Sequence, residues 1–150
     1  MSVAFRSMKS EPDRVCPVVG DSGTKLGVRE RDLPPDINGL AQPKQGGMSV
    51  ISSIAGFRRR IGQLRFPPDY VPRRLAENGK IPGATGSNRF HIFKIGEGEF
   101  CSGNLNEELF VEQDQEDHAT VQPMTAVPYE QFRTAIAATR DHWVSGEHDE

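Results

Sequence analysis

Long apolar runs are missing from this sequence. None reaches the length of a signal-peptide core or a membrane span, so nothing sends the chain to a bilayer or through a general secretory route. An export machine that reads no cleavable signal leaves the same blank. The expected location is therefore the cytoplasm, or a target cell into which the chain is exported. Cysteine is scarce as well. Cys16 and Cys101 have no C-x-x-C spacing, and His91, His118, His142 and His148 do not cluster at ligand spacing, so no metal site is expected. The cysteines read as two free, partly buried thiols, with one long-range disulfide as the alternative. Excess positive charge is also absent. The net charge of −3 argues against general affinity for nucleic acid or acidic membrane surfaces.

What is present fits one domain of ordinary size, large enough to bury a core without staples. Its expected extent is residues 1–144, followed by a disordered acidic tail at 145–150. Gly and Pro together make up about a sixth of the chain, which favours short strands and irregular loops over a helix bundle. Charge is unevenly spread. Between Phe57 and Arg74 there are six arginines against Asp69 alone, whereas Ile95 to Phe132 holds nine acids and no Lys or Arg. A basic lobe of this kind can hold a phosphorylated or acidic ligand, because guanidinium matches phosphate and carboxylate bidentately. It can equally be a solvated face set against the acidic half.

Strand signals come in two groups. Val3 to Lys9, Lys25 to Arg29, Leu40 to Gln42 and Met48 to Ser52 form the first, separated by turn residues; Asn38-Gly39 reads as a two-residue hairpin turn. Phe90 to Ile95, Leu109 to Glu112 and Ala119 to Gln122 form the second. Between the groups lies a basic stretch in which Pro67-Pro68 and Pro72 exclude a continuous helix, leaving at most a short turn from Pro72. A helix is expected over Pro128 to Trp143, where Tyr129, Phe132, Ile136 and Trp143 stand at offsets 0, 3, 7 and 14. The fold class that follows is α+β.

Six residues stand out as site candidates. Arg6 sits on the first strand and is either a surface arginine or a cation lining a cleft. Gly46 and Gly47 permit close backbone approach, and they deliver Ser49 onto an apolar strand. No Gly-x-Ser-x-Gly elbow surrounds that serine, so it reads as a ligand-positioning hydroxyl or a core-edge serine, not a hydrolase nucleophile. His118 follows Asp114, Glu116 and Asp117, whose charges favour the protonated ring. Glu112 shares a strand face with Asp114 and can set a carboxylate over a cleft. For His118 and Glu112 alike, an ordinary solvated position is the alternative.

Phe5-Arg6-x-x-Lys9, Gly46-Gly47-Met48-Ser49-Val50 and His118-x-Thr120-x-x-Pro123-Met124 resemble, in that order, three segments of a known family. A closing helix ending in Arg140-x-x-Trp143 completes the likeness. The family is that of small type VI secretion effector toxins with an ADP-ribosyltransferase-like fold. One departure is Met48, where the family carries threonine in a Gly-Gly-Thr-Ser-Val segment. The resemblance implies two small antiparallel sheets around a cleft, with one C-terminal amphipathic helix. It implies NAD as substrate in that cleft, with Arg6, Gly46, Gly47 and Ser49 binding it. Ser49, His118 or Glu112 would then serve the transfer of ADP-ribose to an unidentified acceptor, and an immunity protein is the implied partner. The competing expectation is a non-catalytic binding module of the same fold that grips an acidic partner through the Arg58 to Arg74 lobe.

Overall fold

The central strands alternate between two cores, not between core and solvent. In the computed structural model, which describes residues 3–149, β1 (Ala4–Lys9) is buried along almost its whole length. Ala4 and Met8 pack into one apolar cluster, while Phe5 joins a second on the other side of the sheet. The same division holds for β3 (Met48–Ile51) and β4 (Phe90–Ile95): Met48, Val50 and Phe93 belong to the first cluster, Ile51 and Ile92 to the second. Successive side chains point to opposite faces of a strand, so apolar residues stand at adjacent positions, as in Ala4-Phe5, Val50-Ile51 and Ile92-Phe93.

Helices cover both faces. The first cluster is closed by α3 (Tyr129–Ala137) through Phe132, Ala135 and Ile136. The second is closed by α1 (Ile54–Gly62) through Ile54, Phe57 and Ile61, and by the one-turn α2 (Arg74–Glu77) through Leu75. Helix α1 starts where Ser53 caps it, its hydroxyl accepting from the Gly56 N–H at 3.0 Å. Its apolar offsets of 0, 3 and 7 were present in the sequence, hidden by the surrounding prolines and arginines.

The remaining strands are β2 (Leu40–Ala41), β5 (Gly103–Asn104), β6 (Leu109–Gln115), β7 (His118–Pro123), β8 (Val127–Pro128) and β9 (Val144–Ser145). Seven of the nine form one curled antiparallel sheet in the order β5-β6-β7-β3-β1-β4-β9, and β2 pairs with β8 apart from it. The α+β class holds. The two groups of strands do not make two sheets, however: β3 and β1 sit in the middle, with β7 beside β3 and β4 beside β1. A strand buried on both faces needs neighbours on both edges to satisfy its backbone groups, and the second group supplies them.

Other expectations are corrected in detail. Lys25 to Arg29 forms no strand; only an isolated bridge joins Leu26 to Val19, although Leu26 and Val28 are fully buried. Asn38-Gly39 makes a turn at φ +77° on Gly39, but not a hairpin, because Leu40 pairs with Pro128. Helix α3 stops at Ala137 instead of Trp143. There the Thr139 hydroxyl donates to the Ile136 carbonyl at 2.6 Å and accepts from the Trp143 indole N–H at 2.9 Å. That local exchange ends the ladder yet keeps Trp143 buried.

The acidic tail is anchored, not disordered, through residue 149; Glu150 lies outside the described residues. Val144 and Ser145 pair with β4, Glu147 meets Arg74 at 2.6 Å and Asp149 meets Lys94 at 2.9 Å. Composition alone does not reveal that a charged tail has half-buried partners waiting for it.

Phe132 is almost wholly inside the first cluster. Phe132→Ala is expected to cost about 3 to 5 kcal/mol in denaturant melts, as for an aromatic removed from a packed core. A loss below about 1 kcal/mol, the range of surface changes, would contradict that packing.

Candidate anion-binding cleft

Strands β1 and β3 share one paired position, Phe5 with Ile51. Beyond it the Arg6 side chain takes the place of a strand partner. Its Nη1 donates to the Ser49 carbonyl at 2.7 Å, Nε and Nη2 reach the Lys25 carbonyl at 3.2 and 2.9 Å, and Nη2 reaches the Ser22 carbonyl at 3.1 Å. Four of the five guanidinium N–H groups are thus held by backbone oxygens. Burial pushes the Arg6 guanidinium down to about 10, with the Asp32 charge opposing that shift and Arg29 adding to it. It remains cationic at neutral pH.

The seam opens onto a cleft of about 320 Å³. Arg6, Ser49 and His118 all line it, contributed by β1, β3 and β7, three neighbouring strands. Four more arginines (29, 31, 60 and 65) join them, and Asp32 is the one acid among the lining residues. Phe57, Phe66 and Tyr70 supply an aromatic wall, with Phe66 edge-on to both other rings.

The Asp32 carboxylate is committed. It accepts from the Arg29 Nε and Nη2 at 2.9 and 3.0 Å and from the Arg29 N–H at 2.9 Å. Burial alone would raise the Asp32 carboxyl, but these hydrogen bonds hold it below the usual carboxylate range. The cleft is therefore strongly electropositive, and its field favours anions.

Ser49 is exposed on an otherwise buried strand, and its hydroxyl has no protein partner among the described residues. His118 holds Asp114 Oδ1 with Nδ1 at 2.5 Å. A carboxylate only accepts, so that nitrogen carries the proton, and Nε2 has no protein partner among the described residues. Glu112 is not brought to this place. It forms an ion pair with Lys44 and does not line the cleft. Thr120 pairs with both Ser49 and Glu112, so Glu112 stands two strand spacings from the serine, roughly 10 Å away.

Gly46 and Gly47 do not line the cleft either. A side chain at Gly46 would meet the Asp32 carbonyl at 2.1 Å, and one at Gly47 the Val121 carbonyl at 2.2 Å. The close approach that needs glycine is to the protein's own backbone. It draws the Asp32 segment against β3 and β7, and the Gly47 N–H donates to the Asp32 carbonyl at 2.9 Å.

The basic lobe is divided among several tasks. Arg60 and Arg65 reach the cleft, Arg58 bonds the Lys80 carbonyl, and Arg74 pairs with Glu147. Arg59 grips Asp117 through two hydrogen bonds of 2.8 and 2.6 Å, fixing α1 to the β6–β7 turn. Arg29, Arg31 and Tyr70 went unnoticed in the sequence, since irregular backbone gives a side chain no periodic signature. Cys16 is buried and Cys101 exposed, and among the described residues no group of metal ligands assembles. No helix among them is long and apolar enough to cross a membrane.

No protein family, curated protein or solved structure matches the chain. The geometry of the cleft is what a functional reading has to rest on.

The hydrogen bonds from Arg59 hold the Asp117 carboxyl below its ordinary value against an opposing push from burial. A depressed carboxylate stabilises the fold above its unfolded pKa of about 3.9, and that stabilisation is lost as pH falls through the lower folded value. Asp117→Asn should therefore melt below wild type at pH 7, with the gap closing as pH falls below about 4. Melting curves taken from pH 7 to pH 3 check this; a gap independent of pH would contradict the ion pair.

Proposed function

We propose that the cleft holds a phosphate-bearing nucleotide and that the chain is an ADP-ribosyltransferase-like domain acting on NAD. The observation that carries this reading is the convergence of Arg6, Ser49 and His118 on one cleft that also presents Arg29, Arg31, Arg60 and Arg65. Guanidinium forks suit a diphosphate, and the Phe66–Tyr70 wall suits a flat ring. The volume lies near the lower end of small-molecule sites, which run from about 300 to 1,000 Å³. That is room for the diphosphate and one ring of a dinucleotide.

In this reading Ser49 offers its free hydroxyl to the nicotinamide ribose, and His118, oriented by Asp114, stands beside the bond that breaks. Arg6 shapes the wall with its carbonyl contacts and keeps one N–H for the ligand. Gly46 and Gly47 act from behind the wall. The toxin role, an immunity partner and an ADP-ribose acceptor in a target cell belong to the same proposal and are drawn from the resemblance.

A specific observation favours a second reading, the non-catalytic binding module. Glu112 is tied to Lys44 outside the cleft and Asp32 is tied to Arg29 within it, so no lining carboxylate is free to stabilise a developing cation. An acidic ligand would then be gripped by the cleft arginines and not by the whole 58–74 lobe.

Nicotinamide release from NAD by the purified chain separates the two. On the transferase reading Ser49→Ala lowers the rate by about 10² to 10³, the effect of losing one fixed donor in a dry site, without changing the melting temperature. Production in cells should be harmful for wild type and harmless for the variant. Binding without cleavage selects the module, and absence of NAD binding up to about 1 mM, the weak end of substrate affinities, ends the enzyme reading.

A further inference from the structure

Arg6 and Arg60 are the two buried arginines of the cleft, 6% and 8% exposed, and the protein treats them oppositely. Arg6 is held at 2.7 to 3.2 Å by three carbonyls. Among the described residues Arg60 makes two hydrogen bonds, to the Glu116 carbonyl at 3.4 Å and the Arg65 carbonyl at 3.3 Å, and its buried Nε has no acceptor. Both contacts lie beyond the ordinary N–H···O range of 2.7 to about 3.2 Å. Among the described residues no carboxylate forms an ion pair with it; Asp117, whose carboxyl its charge helps to hold down, is bonded to Arg59.

A buried guanidinium without an anion is costly, and burying a charge is ordinarily accompanied by a partner. Here the carboxylate it acts on is bonded to another arginine, and the further charge the cleft offers beside it is a cation. Arg65 follows α1, is exposed, and lines the same cleft. These two guanidiniums, one fixed by burial and one exposed, make a fork pair suited to the non-bridging oxygens of a phosphate. We infer that Arg60 and Arg65 form the phosphate subsite of the cleft, taking the diphosphate of its ligand, while Arg6 is a positioning residue that keeps the β1–β3 seam open.

The inference rests on the reading of the cleft as a phosphate-ligand site, but it does not depend on NAD being cleaved. Inorganic pyrophosphate is the probe. Wild type should bind it, with a melting temperature rising by about 5 °C or more at a hundredfold excess over Kd. Arg60→Met removes an unpaired buried charge while keeping the bulk. It should melt at or above wild type without ligand and lose the pyrophosphate response. Arg60→Lys keeps the charge but not the fork, and should bind about tenfold more weakly or worse, the loss expected for a hydrogen bond to a charged group. Arg65→Gln should weaken binding in the same direction, and ADP should show the same losses as pyrophosphate.

Retention of wild-type pyrophosphate affinity by Arg60→Lys overturns the assignment, as does failure of wild type to bind pyrophosphate at about 10 mM, far beyond typical substrate affinities. Should Arg60→Met fail to fold, Arg60→Lys decides alone. Pyrophosphate bound through Arg60 without NAD cleavage keeps the subsite and removes the transferase; NAD cleaved equally well by Arg60→Lys does the reverse.

Discussion

The Arg6 guanidinium is the joint on which the rest of the structure depends. Antiparallel strands normally hold one another through their own backbone groups, yet β1 and β3 share one paired position. Past that point, Arg6 binds the Ser49 carbonyl with one arm and the Ser22 and Lys25 carbonyls with the others. A single side chain thereby bridges the open seam and ties down an irregular loop that has no strand of its own. Each bond from a charged donor to a carbonyl is worth about 1.5 to 3 kcal/mol, and leaving those oxygens bare in a buried site would cost on a similar scale. The depressed value of the arginine measures what burial takes back.

From that joint the geometry of the cleft follows. The 22–33 loop, once held by Arg6, brings Arg29, Arg31 and Asp32 to one side. The Gly46-Gly47 turn then presses on the Asp32 carbonyl, so loop, turn and β3 form one rigid wall. On the other side α1 is fixed to the β6–β7 turn by the Arg59–Asp117 pair. That pair anchors its last turn, the one that carries Arg60, beside the cleft. Ser49 and His118 lie on the sheet floor between the walls, where rigid strands set their positions more finely than loops do.

Much of this was legible because alternation and periodicity survive in short segments. The bounds of β4 are those expected, and β1, β3, β6 and β7 differ by a residue or a few. The convergence of Arg6, Ser49 and His118 was also within reach, since each lies on one of those strands. What stayed hidden was everything set by partners distant in sequence. No local pattern says that Lys25 will give its carbonyl to Arg6 instead of to a ladder. None says that Glu147 will find Arg74, or that Glu112 will turn to Lys44. The glycine pair shows the same limit from another side. Its need for close approach was readable, but what approaches it was not. Helix α1 is different: Ser53, Ile54, Phe57 and Ile61 carried its signal, and the prolines beyond it drew the eye away.

The electrostatics of the cleft place a condition on any chemistry done there. Five guanidiniums against one engaged aspartate favour an anion, whereas transfer of ADP-ribose builds positive charge on the ribose as nicotinamide leaves. These demands conflict if the reacting carbon sits among the arginines. They are reconciled if the diphosphate occupies the Arg60–Arg65 end and neutralises it, while the ribose lies over Ser49 and His118. Beside His118 the bonded carboxylate is Asp114, and its charge would act through the ring instead of by direct contact. Coulomb energy falls inversely with distance, so a relayed carboxylate stabilises a developing cation less than a touching one. A transferase built this way would be slow, and a binding module would meet no conflict at all. The same arrangement of charge that favours an anion in the cleft would therefore limit how fast a transferase built on it could break a glycosidic bond.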